Sequence, residues 1–364
     1  MLHAAQSDIP QTARAAVITG YGQPLSIRTD YPVAQPESLQ PNQCLVRLEY
    51  TGVCSSDLNM KEGGFGADPT ELPRVGGHEG VGRVVAIGGN TTSNVKIGDR
   101  VGVKWIATSC LRCNFCLQGA ESSCPETNAH IHGKTVHGAF ADYVVAYSDY
   151  VTPIPEGLSS AEAAPILCAG VTVYKAIKSS GATVGQWILI SGAGGGLGHL
   201  GVQYASAMGL RVIAVDTGDD KRDFCLSLGA EAFVDFRKSE DVPAEVKRVT
   251  SDGLGVTAAV VAAGDPRAYE QALWCLRPTG TLVCAGLPPG ASTLSFVIPY
   301  LIVFVHRSSP SFTRNRQDVI EALDLAARGK VKTRLEIRDF GEVNRALEDL
   351  RSGKVTGRIV LKIS

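Results

Sequence analysis

The rhythm of apolar and polar positions changes near Pro165. Before it, apolar residues come in short runs cut by glycine and proline. Arg14 to Ile18 and Cys44 to Leu48 predict strands, and Gly82 to Ile87, Arg100 to Val103 and Phe140 to Val145 extend the series. Gly88-Gly89-Asn90 and Ile97-Gly98-Asp99 predict the turns between them. The first part of the chain therefore reads as a mostly β module with irregular loops. After Pro165, helical spacing enters. Val171 to Ser180 predicts a helix, Trp187 to Ile190 a buried strand, His199 to Met208 a helix and Arg211 to Asp216 the next strand. Strands at Ala232 to Asp235, Val256 to Ala262 and Thr281 to Ala285 follow, with helices Ala244 to Thr250 and Ala268 to Leu276 between them. Such alternation predicts a parallel sheet covered by helices on both faces. From Gln317 the pattern is mixed, with helices Asp318 to Arg328 and Gly341 to Arg351 and a last strand Arg358 to Lys362.

Composition narrows the function classes. The 364 residues suffice for two domains, and 44% hydrophobic with 20% charged residues is globular rather than disordered. A net charge of −1 and the lack of a basic stripe argue against nucleic acid or an anionic membrane as partner. The most apolar stretch, Phe296 to Val305, is too short to span a bilayer. Met1 to Ala16 has neither an apolar export core nor arginine enrichment, so a cytoplasmic location is expected. In that reducing compartment, ten cysteines point to metal before disulfides.

Four of those cysteines form Cys110-x2-Cys113-x2-Cys116-x7-Cys124. Four thiolates on short loops suit a closed tetrahedral zinc site with a structural role. An iron–sulfur cluster also uses cysteines two apart, but the Cys-Pro of the ferredoxin run does not follow at the right spacing. A second group is dispersed. Gly76-Gly77-His78-Glu79-Gly80-Val81-Gly82 sets an imidazole beside a carboxylate, with glycines that let the backbone crowd close. Cys54 and Cys168 lie far away in sequence. Two thiolates and an imidazole make a zinc site with its fourth position open to an alcohol or a carbonyl oxygen. Spacing alone leaves a plain core role for Cys168 equally open.

Strand Trp187 to Ile190 runs into Ser191-Gly192-Ala193-Gly194-Gly195-Gly196-Leu197-Gly198 and then a helix, a strand and Asp216. That order is the dinucleotide-binding arrangement of a Rossmann domain. Gly195 would let the backbone approach a pyrophosphate, Gly198 would let helix and strand pack closely, and the helix N-terminus would favour phosphate. Ala193 occupies the first position of the glycine pattern. A carboxylate at Asp216 accepts ribose hydroxyls and repels a 2′-phosphate, which favours NAD over NADP, although Lys221 and Arg222 follow closely.

With these motifs the chain resembles the zinc-dependent medium-chain alcohol dehydrogenases, of the fungal, yeast-like type. The resemblance rests on Gly77-His78-Glu79-x2-Gly82-x5-Gly88, the four-cysteine loop, Leu167 to Tyr174, Gly192 to Gly198 and Thr356-Gly357-Arg358, and covers Arg14 to Ser364. It implies an α/β protein: a Rossmann domain at 164–311 and a mostly β, GroES-like catalytic domain at 1–163 with 312–364. It implies two zinc ions per chain, one on Cys54, His78 and Cys168, the other on the four clustered cysteines. It gives Ser56 the alcohol proton, makes Asp57 the partner that orients His78, and places Glu79 behind the metal as an outer group or transient ligand. Trp105 and Phe65 become walls of the substrate pocket. Gly195, Gly196, Leu197, Gly198, Asp216, Lys221, Ala285, Leu287, Ser309 and Arg358 become cofactor contacts, with Arg358 at the pyrophosphate. Three departures stand out. Asn59 replaces a relay histidine and cannot titrate near neutral pH. Ser55 stands where yeast-type members have a histidine near the cofactor phosphate. His306 to Arg314, with Pro310, replaces a Gly-Ser-x-Val-Gly segment and removes a backbone donor. Phe65 among glycines suggests a roomy pocket.

The expected activity is reversible hydride transfer between a primary or secondary alcohol and NAD, by a homotetramer or homodimer. The rival readings are a reductase of a bulky aldehyde or ketone and a weakly catalytic cofactor-binding protein.

Overall fold

The computed structural model describes residues 9–66, 68, 72–288, 293, 315–353 and 355–364, with the backbone of 307–310. Phe296 to Val305, His306 and 311–314 lie outside the described residues, as does most of the loop after Asp68 up to Leu72. The chain divides into two compact units. One comprises Met1–Cys168, Asn315–Leu323 and Leu335–Ser364; the other comprises Ala169–Arg314 and Asp324–Arg334.

In the first unit the alternating strands build two sheets. β1 (Thr12–Ile18) lies between β2 (Ser26–Pro32) and β4 (Arg74–Val75), antiparallel to both. β3 (Gln43–Val53) pairs antiparallel with β5 (Gly80–Ile87), and the sheet continues through β6 (Arg100–Val103) and β8 (Thr152–Pro153). On the other side β3 meets Arg358–Lys362, which pairs in parallel with Leu335–Asp339. β7 (Tyr143–Tyr147) also pairs with β3. Val17, Val46, Leu48, Val84, Phe140 and Ile359 share one buried core, the burial that drives this sheet together.

The second unit is the parallel sheet that strand–helix alternation predicts. β9 (Trp187–Ser191), β10 (Arg211–Asp216), β11 (Ala232–Asp235), β12 (Val256–Val261), β13 (Leu276–Cys284) and β14 (Arg307–Pro310) run in the order β11-β10-β9-β12-β13-β14, all parallel. This is the doubly wound order with its switch point between β9 and β12. β9 is buried at every residue and reads as a continuous apolar run because a central parallel strand has no solvent face.

Several elements differ from their expected limits. The strand expected at Phe140 to Val145 is β7, three residues later, because residues 138–140 spend their backbone groups on other partners. Phe140 N–H donates to the Gly76 carbonyl at 2.7 Å, Ala139 N–H to Gly77 at 3.0 Å, and the Phe140 carbonyl accepts from Ala16 at 2.8 Å. The helix expected at Ala268 to Leu276 is Pro266–Trp274, capped by the Asp265 carboxylate on Arg267 N–H, and Leu276 already opens β13. β2 and the helix Asp219–Ser227 had no apolar stripe to reveal them; almost all of β2 is exposed. The first unit extends to Cys168 rather than to residue 163, and 324–334 group with the second unit. There Gln203 and Lys332 exchange two hydrogen bonds, at 2.8 and 3.0 Å, and Arg334 N–H donates to His199 Nε2 at 3.3 Å.

Candidate functional site

Cys54 directly follows β3 and caps the start of the helix Ser55–Lys61. His78 follows β4 by three residues, and Cys168 sits in a π turn, Ile166–Gly170, after the short helix Ser160–Pro165. Pro165 lacks the N–H that would continue the helical ladder, and the chain widens there, as it often does at functional positions. β6 makes room for the turn. A Cβ on Gly102 would stand 2.6 Å from the Leu167 side chain. Gly77 has φ +89°, and a Cβ on it would be 2.7 Å from Phe140 N. Only glycine lets the chain pass this close before presenting His78.

The ligand atoms of Cys54, His78, Glu79 and Cys168 lie within 4.8 Å of one another, all buried. His78 Nε2 is 3.2 Å from Cys168 Sγ. A tetrahedral zinc with bonds of about 2.0–2.3 Å has ligands roughly 3.3–3.8 Å apart, so donor types and spacing both fit the ion. Asp57 ties the group together. Its Oδ1 is 2.7 Å from His78 Nδ1 and its Oδ2 accepts from Cys54 N–H at 2.9 Å. The carboxylate fixes the Nδ1–H tautomer and leaves Nε2 to a metal. Burial disfavours charge on His78, but Asp57 outweighs it and lifts the imidazole to about 10. The neighbouring Cys168, then burial, raises the Cys54 thiol to about 11. A cation takes the place of these protons, so the protein groups alone favour protonated donors that a metal must deprotonate.

Glu79 is fully buried. Its Oε1 accepts from Arg358 Nη2, while its Oε2 has no hydrogen-bond partner among the described residues. Burial raises this carboxyl to about 7 against the pull of Arg358. Gly52 in β3 makes the space: a Cβ there would stand 2.0 Å from Glu79 Oε2. Arg358, expected at the cofactor's pyrophosphate, is only 3% exposed and pairs with Glu79, near the two thiols. Isolated, a buried guanidinium is costly; opposite a buried carboxylate it balances charge behind the cluster.

Trp105 meets the His78 ring edge-on at 4.9 Å, and Phe65 meets Trp105 edge-on at 5.6 Å. Phe65 has φ +58°, a strained conformation for an aromatic residue. Lys134 Nζ holds it by donating to its carbonyl at 2.8 Å. Sequence reasoning missed Lys134, Gly52 and Gly102; a glycine inside a strand is the signal of close approach that marks the last two. Ser56 is half-buried in the first turn of Ser55–Lys61, and Ser55 is exposed beside it. Asn59 lies over Gly64, where a Cβ would sit 1.5 Å from its Oδ1.

The second cysteine group is equally compact. Cys110, Cys113, Cys116 and Cys124 place their sulfurs within the same 4.8 Å limit, with 3.6 Å between Cys113 and Cys116 and 3.9 Å between Cys110 and Cys116. None of the ten cysteines forms a disulfide. Glu121, inside this loop, accepts from Arg316 Nε at 2.9 Å and from the Tyr150 hydroxyl at 3.2 Å, which anchors the lobe to the rest of its unit.

In the other unit, Gly198 opens the helix Gly198–Ala207, and a Cβ on it would lie 2.0 Å from the Gly192 carbonyl. Asp216, at the end of β10, accepts from Gly194 N–H, Thr217 N–H and Lys221 Nζ, each at 2.8 Å. Gly195, Gly196 and Leu197 form the turn before the helix. Ala285 N–H donates to the Val261 carbonyl at 3.1 Å, and Leu287 is 48% exposed. Ser309 and Pro310 pair in β14 with Val283 and Cys284.

Comparisons with known proteins bear on these observations together. The model of the alcohol dehydrogenase GroES-like domain matches residues 40–156, and that of the zinc-binding dehydrogenase domain matches residues 196–328. The alcohol dehydrogenase of Schizosaccharomyces pombe is 43% identical, covering 98% of this chain and 99% of the relative. Alcohol dehydrogenase 1 of Neurospora crassa is 41% identical over 99% of each. Among solved structures, one described as an NAD-dependent alcohol dehydrogenase superposes with a TM-score of 0.86 at 28% identity, covering 96% of this chain and all of that one.

Proposed function

The chain belongs to the zinc-dependent medium-chain alcohol dehydrogenases of the fungal type, and from that premise we propose that it interconverts a primary or secondary alcohol and the aldehyde or ketone, with NAD as hydride carrier. The observation that carries the reading is the convergence of Cys54, His78 and Cys168 from three distant segments, with Asp57 bridging two of them. When bound, a zinc on these three residues supplies the positive charge that acidifies an alcohol or polarises a carbonyl, and NAD supplies the hydride acceptor. The chain does the rest. Asp57 holds His78 in one tautomer. Ser56 Oγ takes the alcohol proton and passes it on. Asn59 cannot act as the next base, so the proton leaves by water. Trp105 and Phe65 exclude water and shape the pocket.

Asp216 holds the adenosine ribose. Three donors already occupy its carboxylate, which leaves room for a ribose hydroxyl but not for a phosphate. Lys221 is engaged by Asp216, and Arg222 by Asp219 and Asp223, which supports NAD over NADP. Gly195, Gly196, Leu197 and Gly198 receive the pyrophosphate, and Ala285, Leu287 and Ser309 line the nicotinamide end. The two compact units support a catalytic domain in two pieces around the nucleotide-binding one. Among the described residues no helix is long and apolar enough to cross a membrane. Ten unbridged cysteines suit a reducing cytoplasm, where we place a homotetramer or homodimer with two zinc ions per chain.

The test compares wild type and Cys54→Ser across short, aromatic and secondary alcohols with NAD and with NADP. The wild type is expected to oxidise alcohols with NAD. The variant is expected to lose turnover while still binding NAD. Full turnover in the variant would defeat the zinc reading, and activity confined to bulky carbonyl reduction would favour a dedicated reductase.

A further inference from the structure

A cavity of about 300 Å³ lies in the first unit, lined by Tyr31, Val33, Tyr143, Tyr147, His137 and Arg74 among others. It adjoins the segment that carries His78. Val75, three residues ahead of His78, lines it, and so does Gly138, whose N–H donates to the Val75 carbonyl at 2.9 Å. None of the proposed metal, cofactor or substrate residues lines it.

Its chemistry is lopsided. Most of the wall is aromatic or aliphatic, and among the described residues no carboxylate lines it. Arg74 supplies the one full positive charge among the described lining residues. Its Nε is buried without a partner, and among the described residues its guanidinium makes no ion pair. The histidine does not share that charge. His137 Nδ1 accepts from Val75 N–H at 3.3 Å, so its proton is on Nε2, 3.4 Å from the Tyr31 hydroxyl. Desolvation and then the nearby Arg74 lower the imidazole's proton affinity, although the residue itself is exposed. Asp30 is paired with Arg28, whose guanidinium stands over the Tyr31 ring, 5.8 Å from its centroid. An unpaired guanidinium with a buried N–H is a poor structural element but a good receptor for an oxyanion. Aromatic edges around it fit a flat apolar body, and the volume is at the lower end of small-molecule pockets.

We propose that this cavity binds a small organic monoanion with a flat apolar body, its carboxylate held by Arg74. The occupant would press on the same stretch that positions His78, so the site is placed to modulate the metal ligand from behind.

The experiment is a calorimetric titration of the full-length, zinc-loaded chain with benzoate, and with benzamide as the uncharged analogue. One benzoate per chain is expected, with benzamide and the Arg74→Gln variant each at least about tenfold weaker, the size of a lost charge-assisted pair. Arg74→Lys should recover part of the affinity. If Arg74→Gln does not fold, Ala34→Phe fills the cavity from its wall and should block benzoate in the same way. No binding at about 10 mM benzoate, well beyond the millimolar range of weak ligands, would overturn the proposal. So would equal binding by Arg74→Gln, which would put the anion elsewhere, including at the Cys54 cluster. Failure to bind benzoate together with a smaller assembly for Arg74→Gln in sedimentation would make the cavity a contact between copies of the chain, and the proposal would fall. The titration reads binding alone, so its failure leaves the dehydrogenase reading intact.

Discussion

Asp57 shows how much one side chain decides. It is 3% exposed, and its two oxygens serve two different ligands, the His78 ring and the Cys54 backbone. Asparagine has nearly the same shape but only one acceptor oxygen. Asp57→Asn must therefore abandon one of the two contacts or present an N–H where an acceptor is needed. A tenfold to hundredfold loss of metal affinity is the usual scale for losing such a partner. Competition with a chelator measures it directly. Unchanged metal affinity in Asp57→Asn would show that the imidazole needs no such orientation. The role expected for Asp57 came from the resemblance to a known family and not from its spacing. The placement of Arg358 was not legible, because charge pairing across 279 residues leaves no local pattern, and the structure put the guanidinium on Glu79.

At the scale of elements, glycines set how closely strands, turns and helices approach. Gly198 is the sharpest case in the nucleotide-binding unit, since its missing side chain admits the Gly192 carbonyl. Gly198→Ala forces that turn or the start of the helix outward. We expect a loss of about 1–3 kcal/mol in stability, the usual cost of overpacking, together with weaker NAD binding. Thermal unfolding and fluorescence titration with NAD would register both, and an unshifted melting curve would mean that the turn yields freely. The βα alternation was readable because burial is continuous along β9 and nearly so along β12, and the helices are periodic. The exposed β2 and the polar helix Asp219–Ser227 escaped because an element without an apolar face carries no period to detect.

For the molecule as a whole, the four-cysteine lobe has little core of its own, and with the proposed zinc on its thiols its folding would rest on the metal. Phe115 and Leu117 within it are exposed, at 47% and 74%, so few apolar groups hold it shut. Its ties to the rest of its unit run through Glu121, Tyr150 and Arg316. Cys113→Ser should release one of two metal ions per chain and lower the melting temperature, because metal binding free energy here is folding free energy. NAD binding, which we propose rests on the glycine turn and Asp216 of the other unit, should persist. Elemental analysis beside thermal unfolding gives the answer; a variant that keeps two metals and its melting temperature would rule out a zinc-dependent lobe.

What the chain's order of residues determined by itself is whatever depends on near neighbours. The strand and helix periods, the glycine turn ahead of Gly198 and four thiols within fifteen positions all arise from contacts a few residues long, which composition and spacing encode. Folding in three dimensions alone decided whether Cys54, His78 and Cys168 meet, which partner Arg358 takes, and that Arg74 lines a cavity beside Val75 with no ion pair among the described residues. Those outcomes depend on strand register and on sheet order between distant segments, and local hydrophobic pattern does not specify either.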